Sequence, residues 1–315
     1  MVQWRTLDLF FLVKELLMRW MVTLGLLLGT AVCSGEEAVP TARTVASVMA
    51  GSSDSDWRDL DPKRTLVMQL ESNQVVIELA PDFAPNNVAN ILTLVRDGYF
   101  DGLFVIRSQD NYVAQWGDPA EGEHARSLGK AKVKVMAELE RDIDDLQFTR
   151  LGGDDVYAPE VGFAGGFPVG RDLVSGRVWL AHCYGAVGVG RDNEPDSGNG
   201  SSLYAVTGHA PRHLDRNITV VGRVVAGMEH LTTLPRGSGE LGFYVEGEDM
   251  AEVEWIKVAA DLKPKDRPKV QVLRTDTATF MSLIEARRVR MEDWFLHPVG
   301  QLELCSMPIP TRTRP

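Results

Sequence analysis

Short runs of alternating hydrophobic and polar positions dominate the chain, and helical periods are few. Thr65–Leu70 and Gln74–Leu79 are β-type runs separated by the polar turn Glu71-Ser72-Asn73, which predicts a hairpin. Beyond Pro81 and Pro85, Val88, Ile91, Leu92 and Val95 recur at i, i+3, i+4 and i+7. They form one apolar face of a helix that Pro85 opens and Gly98 closes. Phe104–Ile106 and Tyr112–Trp116 predict further strands. Residues 119–175 read as a long, polar, Gly-rich loop with a charged helix near Val135–Asp145. Strand patterns return at Val178–Cys183, Leu203–Thr207, Thr219–Val225 and Val253–Ala259, separated by the turn tokens Gly198-Asn199-Gly200, Leu214-Asp215-Arg216-Asn217 and Gly237-Ser238-Gly239. Many short strands without βαβ alternation predict a mainly β barrel or sandwich and disfavour a Rossmann sheet. After Leu262 the basic, Pro-broken joint Lys263–Pro268 leads to a helical pattern over Ala278–Phe295 and an extended tail over Cys305–Pro315.

The N-terminus has a different pattern. Met21–Val32 is a compact apolar run after Arg19, followed by the small residues Ser34 and Gly35 and the acidic pair Glu36–Glu37. A charged flank, a short apolar core and a small-residue exit predict a signal peptide over 1–35, hence a periplasmic or secreted chain. An uncleaved anchor is the alternative, although the run is short for a span of about 20 residues. Residues 36–62, rich in Ala, Ser, Thr and Asp, read as a linker. Cleavage would remove Cys33 and leave Cys183 and Cys305. A disulfide and two unpaired cysteines both fit at this level.

Composition narrows the function classes. Of 315 residues, 44% are hydrophobic and 24% charged, which is ordinary for a globular chain. With 33 basic and 44 acidic side chains, a net charge of -11 and no long basic run, nucleic acid is a poor partner. No CxxC pair is present, and His182, Cys183, His209 and His213 lack metal-ligand spacing, so neither a metal nor a cofactor is expected. Gly185–Gly190 has dinucleotide-loop glycines without the helix that such a loop opens, and reads as a plain loop.

Candidate chemistry centres on Arg107, Tyr112 and Gln115. Strand alternation places Tyr112, Ala114 and Trp116 on one face and Val113 and Gln115 on the other, so Tyr112 and Gln115 meet only through a bulge or twist. Arg107 alone reads first as a surface polar link or a structural salt bridge. The motifs around it change that. Ile106-Arg107 is followed by Tyr112-Val-Ala-Gln115-Trp-Gly117-Asp118. Val75–Leu79 leads to Ala80-Pro81, Ala84-Pro85 and Val88-Ala-Asn90, then to Gly98-Tyr-Phe-Asp-Gly102. Gly200-Ser-Ser-Leu-Tyr204, Leu214-Asp215 and Val221-Gly-Arg-Val-Val-Ala-Gly-Met228 come later in the same order. Over about residues 63–262 this succession resembles the cyclophilin-type peptidyl-prolyl cis-trans isomerases, in a divergent, exported bacterial-type form.

The resemblance implies a closed eight-stranded antiparallel barrel capped by helices over 63–262, with a long inserted loop and a C-terminal extension over 263–315. It implies that Arg107 is catalytic and that Gln115 supports it. Tyr112, Val113, Tyr204 and Leu214 would line the proline pocket, and Ala181 and His182 would receive the substrate backbone. Four positions depart from the family pattern. Ile106 stands for the His before the Arg, and Ser202, His213 and Ile218 stand for pocket Gln, Trp and His. The expected activity is isomerisation of X–Pro bonds in exported, proline-containing polypeptides. The rival reading is a weak or inactive cyclophilin-like peptide-binding module.

The chemistry needs no nucleophile. Rotation of an X–Pro amide breaks resonance and crosses a barrier of about 18–20 kcal/mol. A fixed donor that binds the twisted amide better than either planar isomer lowers that barrier. Arg107 offers a permanently charged, planar donor fork for this purpose.

Overall fold

A computed structural model of the chain describes residues 43–120 and 122–314. The predicted signal peptide and residues 36–42 of the predicted linker lie outside the described residues.

Successive elements are α1 (Val45–Ala50), β1 (Trp57–Asp59), β2 (Thr65–Leu70), β3 (Asn73–Leu79), α2 (Pro85–Arg96), β4 (Leu103–Ser108) and β5 (Val113–Gly117). The insertion then supplies β6 (Arg141–Asp142), β7 (Phe148–Arg150), β8 (Glu160–Ala164) and β9 (Phe167–Asp172), and β10 (Arg177–Leu180) follows. The chain returns through β11 (Ala186–Val189), β12 (Ser202–Val206), β13 (Val220–Ala226), α3 (Met228–Thr232) and β14 (Glu252–Val258). It ends in β15 (Val270–Leu273), α4 (Ala278–Val289) and β16 (Thr311–Thr313).

Eight strands close the expected antiparallel barrel in the order β11-β12-β5-β4-β14-β2-β3-β13. The β2–β3 hairpin pairs Leu70 with Asn73, so its turn is Glu71-Ser72, with Glu71 in the left-handed region at φ 51°. Inward residues such as Leu66, Met68, Ile77, Val105, Trp116 and Leu203 meet Val88, Ile91, Leu94 and Val95 of α2, which caps the barrel. Pro85 occupies the first turn of α2, as expected, but Ala84 before it has no side-chain cap. Glu138 of the insertion caps the helix instead. Its carboxylate accepts from the N–H groups of Asn86 at 3.0 Å and Asn87 at 2.8 Å.

That contact explains one departure from the sequence reading. Val135–Asp145 is not helical. Val135 and Ala137 donate their N–H groups to the Asp196 and Pro195 carbonyls, Glu138 reaches α2, and Arg141–Asp142 is strand β6. With those donors bonded outside the segment, no i to i−4 ladder forms there.

The insertion is also a sheet rather than a long loop: β6-β10-β9-β8-β7. Residues 43–62, read as linker, contain α1 and β1. A three-stranded sheet β1-β15-β16 joins this segment to the C-terminal extension. The three pieces share a second core, in which Val48 and Trp57 meet Leu151, Phe163 and Trp179, then Phe280, Leu283 and Leu304. The helix predicted over Ala278–Phe295 stops at Val289, where Arg290 takes a left-handed cap at φ 53°. Met291 and Trp294, which extended its apolar period, are exposed.

A disulfide ties the second core internally, and an ion cluster joins it to the barrel. Cys183 and Cys305, 122 positions apart, are joined by a disulfide. Buried Glu78 of β3 accepts from Arg58 of β1 at 2.6 and 2.9 Å and faces Arg223 of β13 at 3.5 Å.

Candidate active site

Arg107 and Gln115 sit on neighbouring barrel strands, β4 and β5. The ladder pairs Val105 with Trp116, shifts register, and then pairs Arg107 with Gln115. Ile106 is the extra residue of a β-bulge, and the bulge sets Arg107 directly opposite Gln115. The conflict posed by strict alternation disappears for a second reason: β5 starts at Val113, leaving Tyr112 in the preceding turn and outside the period. The Arg107 guanidinium carbon lies 5.5 Å from the centre of the Tyr112 ring. Its Nη1 donates to Gln115 Oε1 at 3.2 Å, and Gln115 Nε2 donates to Ser202 Oγ of β12 at 2.9 Å. One polar chain therefore crosses three adjacent strands.

Two further contacts come from residues the sequence did not single out. Arg107 Nε donates to the Leu241 carbonyl at 2.7 Å, and Nη2 donates to Gln109 Oε1. Phe243 adds a second ring, 5.3 Å from the guanidinium carbon. The only sequence signal for this loop was an apolar run, Leu241–Val245, after a Gly-rich turn. Of the five N–H donors of an arginine, three are engaged among the described residues and two remain for an incoming amide. Burial lowers the Arg107 pKa, partly opposed by Tyr112 and Tyr204. The starting value lies so far above neutrality that the cation persists.

The expected pocket wall divides into two groups. Tyr112, Val113, Tyr204 and Ile218 share one apolar cluster. The Tyr204 ring passes over Gly188 so closely that a Cβ there would lie 2.3 Å from it, so only glycine fits beneath the ring. Leu214 is half-buried and His213 exposed, both on the turn Arg212–Leu214, and no contact joins His213 to Arg107.

The backbone N–H groups of Ala181 and His182 already have acceptors. The Ala181 N–H donates to the Pro168 carbonyl at 3.0 Å, and the His182 N–H donates to Asp215 Oδ1 at 2.8 Å. The His182 side chain is fully buried. Its Nδ1 donates to Asp215 at 3.0 Å, and its Nε2 accepts from the Tyr204 hydroxyl at 3.0 Å. Burial pushes the Tyr204 hydroxyl well above its ordinary range, so it keeps its proton. Arg212 continues the network, donating to Asp215 and, at 3.2 Å, to Asp155 of the insertion. His182 thus braces Tyr204 from behind and does not face the groove. No sequence signal linked Asp155, Arg212 and Asp215 to this role.

Comparison with known proteins agrees with this fold. Residues 65–253 match the family described as cyclophilin type peptidyl-prolyl cis-trans isomerase. The chain is 29% identical over 178 residues to a probable peptidyl-prolyl cis-trans isomerase of Brucella suis, covering 56% of this chain and 74% of that one. It is 26% identical over 178 residues to peptidyl-prolyl cis-trans isomerase B of Bacillus subtilis, covering 56% of this chain and 94% of that one. Among solved structures, the cyclophilin AquaCyp293 of Hirschia baltica superposes with a TM-score of 0.66 at 29% identity, covering 86% of this chain and 98% of that one. The match reaches beyond the family segment into the second core. By its barrel, its motif order and these matches, the chain belongs to the cyclophilin-type peptidyl-prolyl cis-trans isomerases.

Proposed function

We propose that this isomerase acts on proline-containing segments of exported proteins, with Arg107 as the group that stabilises the twisted X–Pro amide. The observation that carries the mechanism is the bulge-set pairing of Arg107 with Gln115, which leaves two guanidinium donors beside Tyr112. As the amide twists, its nitrogen becomes pyramidal and gains a lone pair. The remaining Arg107 donors bind that state better than either planar isomer. Gln115, itself anchored by Ser202, keeps the fork from following the substrate back to planarity. Tyr112, Val113, Tyr204 and Ile218 supply the apolar wall for the proline ring. The backbone of Ala181 and His182 contributes less than the family pattern implies, because both N–H groups already have acceptors.

The proposed compartment is the periplasm or the exterior. It rests on the signal-like pattern of residues 1–35 and on the Cys183–Cys305 disulfide, which persists in oxidising surroundings. The test of the mechanism is an NMR-exchange or protease-coupled assay on X–Pro peptides. Arg107→Ala, shown to be folded, should lose about 10²–10³ in kcat/KM, the loss seen for other preorganised donors. Turnover equal to wild type in that variant would overturn the role given to Arg107.

A further inference from the structure

The loop between α3 and β14 reaches across to β4 and closes over Arg107. We propose that Phe243 and the Leu241 carbonyl are positioning groups for Arg107, which makes residues 235–248 a working part of the isomerisation site. The inference rests on Arg107 acting on the prolyl amide.

Four observations support it. First, the guanidinium carbon lies over two rings, Tyr112 at 5.5 Å and Phe243 at 5.3 Å. A cation attracted to two aromatic rings is held more firmly than one attracted to a single ring. Second, the Leu241 carbonyl takes the Nε–H at 2.7 Å, while Gln115 and Gln109 take one donor each from the two terminal nitrogens. Contacts on all three nitrogens fix the plane of the fork, which neither glutamine does alone.

Third, the loop is fastened to the strand that carries Arg107. Gly237 N–H donates to the Ser108 carbonyl and Tyr244 N–H to the Ile106 carbonyl, each at 3.1 Å, and Phe243 forms a β-bridge with Arg107 itself. Within the loop, the Glu248 carboxylate accepts from the N–H groups of Val245 at 2.8 Å and Ser238 at 3.2 Å. Leu241 is held in the left-handed region at φ 55°, a conformation that persists only where the surroundings impose it. Gly242 follows at φ 80°, and a Cβ there would lie 2.6 Å from Gln109 Cα, so glycine is what lets the loop close.

Fourth, the core does not explain the loop's apolar side chains. Phe243 is 37% exposed and Leu241 59% exposed. The ring of Phe243 has a specific neighbour, the guanidinium, and the β-bridge between Phe243 and Arg107 holds the two residues together.

The test compares two substitutions in the whole chain. Phe243→Leu keeps apolar bulk without an aromatic face, and Phe243→Tyr keeps the face. Phe243→Leu should lower kcat by about three- to tenfold with KM changed less than about twofold, and Phe243→Tyr should stay within about twofold of wild type. In an Arg107→Ala background Phe243→Leu should cause no further loss. Wild-type kcat in Phe243→Leu, or an equal loss with and without Arg107, would overturn the proposal.

A readout independent of turnover accompanies it. In ¹⁵N-labelled protein, the Arg107 Nε–H signal, assigned by its disappearance in Arg107→Lys, should be shifted and slow to exchange in wild type and Phe243→Tyr. It should move to the position of exposed arginines in Phe243→Leu. An Arg107 signal unmoved by Phe243→Leu would also overturn the proposal. A wild-type chain that fails to isomerise any X–Pro peptide would remove the Arg107 mechanism, while the NMR arm would still decide whether Phe243 positions the guanidinium.

Discussion

The barrel and the second core are built in different ways. Barrel strands are four to seven residues long, and each pairs with two neighbours around a closed ladder in which β2–β3 and β4–β5 are tight hairpins and most other pairings join distant segments. The second core gathers pieces from residues 45–59, 141–183 and 270–313, with strands as short as two or three residues and an opening helix of six. Ladder contacts make the barrel self-supporting. The second core depends on a covalent tie, a buried ion cluster and packing between segments far apart in the chain. Chemistry follows the same division, because the proposed donors all belong to barrel strands and their loops, whereas the second core meets the site at Ala181 and Cys183, which flank His182, with Asp155 and Arg212 bonded behind it. A closed, continuously hydrogen-bonded scaffold carries the reacting groups, and an addition assembled from short segments braces one wall.

This division gives predictions of decreasing size. Cys305→Ala, or reduction of the disulfide, should lower stability by about 4–5 kcal/mol, since the closed loop is long. Urea unfolding should show the second core loosening while prolyl isomerisation below the transition persists. A single, unshifted transition would mean that the second core does not need the tie. Glu78→Gln should cost about 3–5 kcal/mol, because it leaves buried guanidinium groups without their counter-charge. It lies at the seam of the two regions, so calorimetry should show both weakened. Loss confined to one region would contradict the seam.

Asp155→Asn removes the charge that faces Arg212 and should cost about 1–2 kcal/mol. A measurable fall in kcat/KM with it would show that bracing of Tyr204 reaches the groove. Unchanged kinetics would leave the insertion a purely stabilising part. Glu248→Gln should lower kcat by no more than about threefold, through a loosened Arg107 loop. The N–H groups of Val245 and Ser238 hold the Glu248 carboxyl below its ordinary value. Its anchoring is therefore complete at neutral pH and is lost as pH falls through that lowered pKa. The wild-type rate should converge on the variant's in acid, and a gap that persists there would exclude the anchor.

Legibility in the sequence followed the same division. Helix α2 and the barrel strands other than β11 could be read because alternation and the Val88-Ile91-Leu92-Val95 period extend over enough residues to be distinct, whereas β11 (Ala186–Val189) falls within Gly185–Gly190, whose glycines read as a plain loop. The motif order then located Arg107, Gln115 and Tyr204. Three further features were not readable, each for a physical reason. The bulge at Ile106 is a one-residue register shift that only the partner strand reveals. His182 occupies a position where the family pattern implies substrate contact, but Asp215, three residues after Arg212, draws it inward. Elements of two to six residues in the second core are shorter than any period, so Val45–Ala50 and Trp57–Asp59 passed as linker, and the insertion passed as a loop with a helix.

The most direct measurement is kcat/KM of Arg107→Lys on a prolyl peptide by NMR exchange. Lysine keeps the positive charge but not the planar fork that Gln115, Gln109 and Leu241 hold in place. A folded Arg107→Lys variant should lose about tenfold or more, approaching the alanine variant. Turnover within about twofold of wild type would show that charge alone suffices, and would contradict the account of a fork fixed in position across the barrel strands.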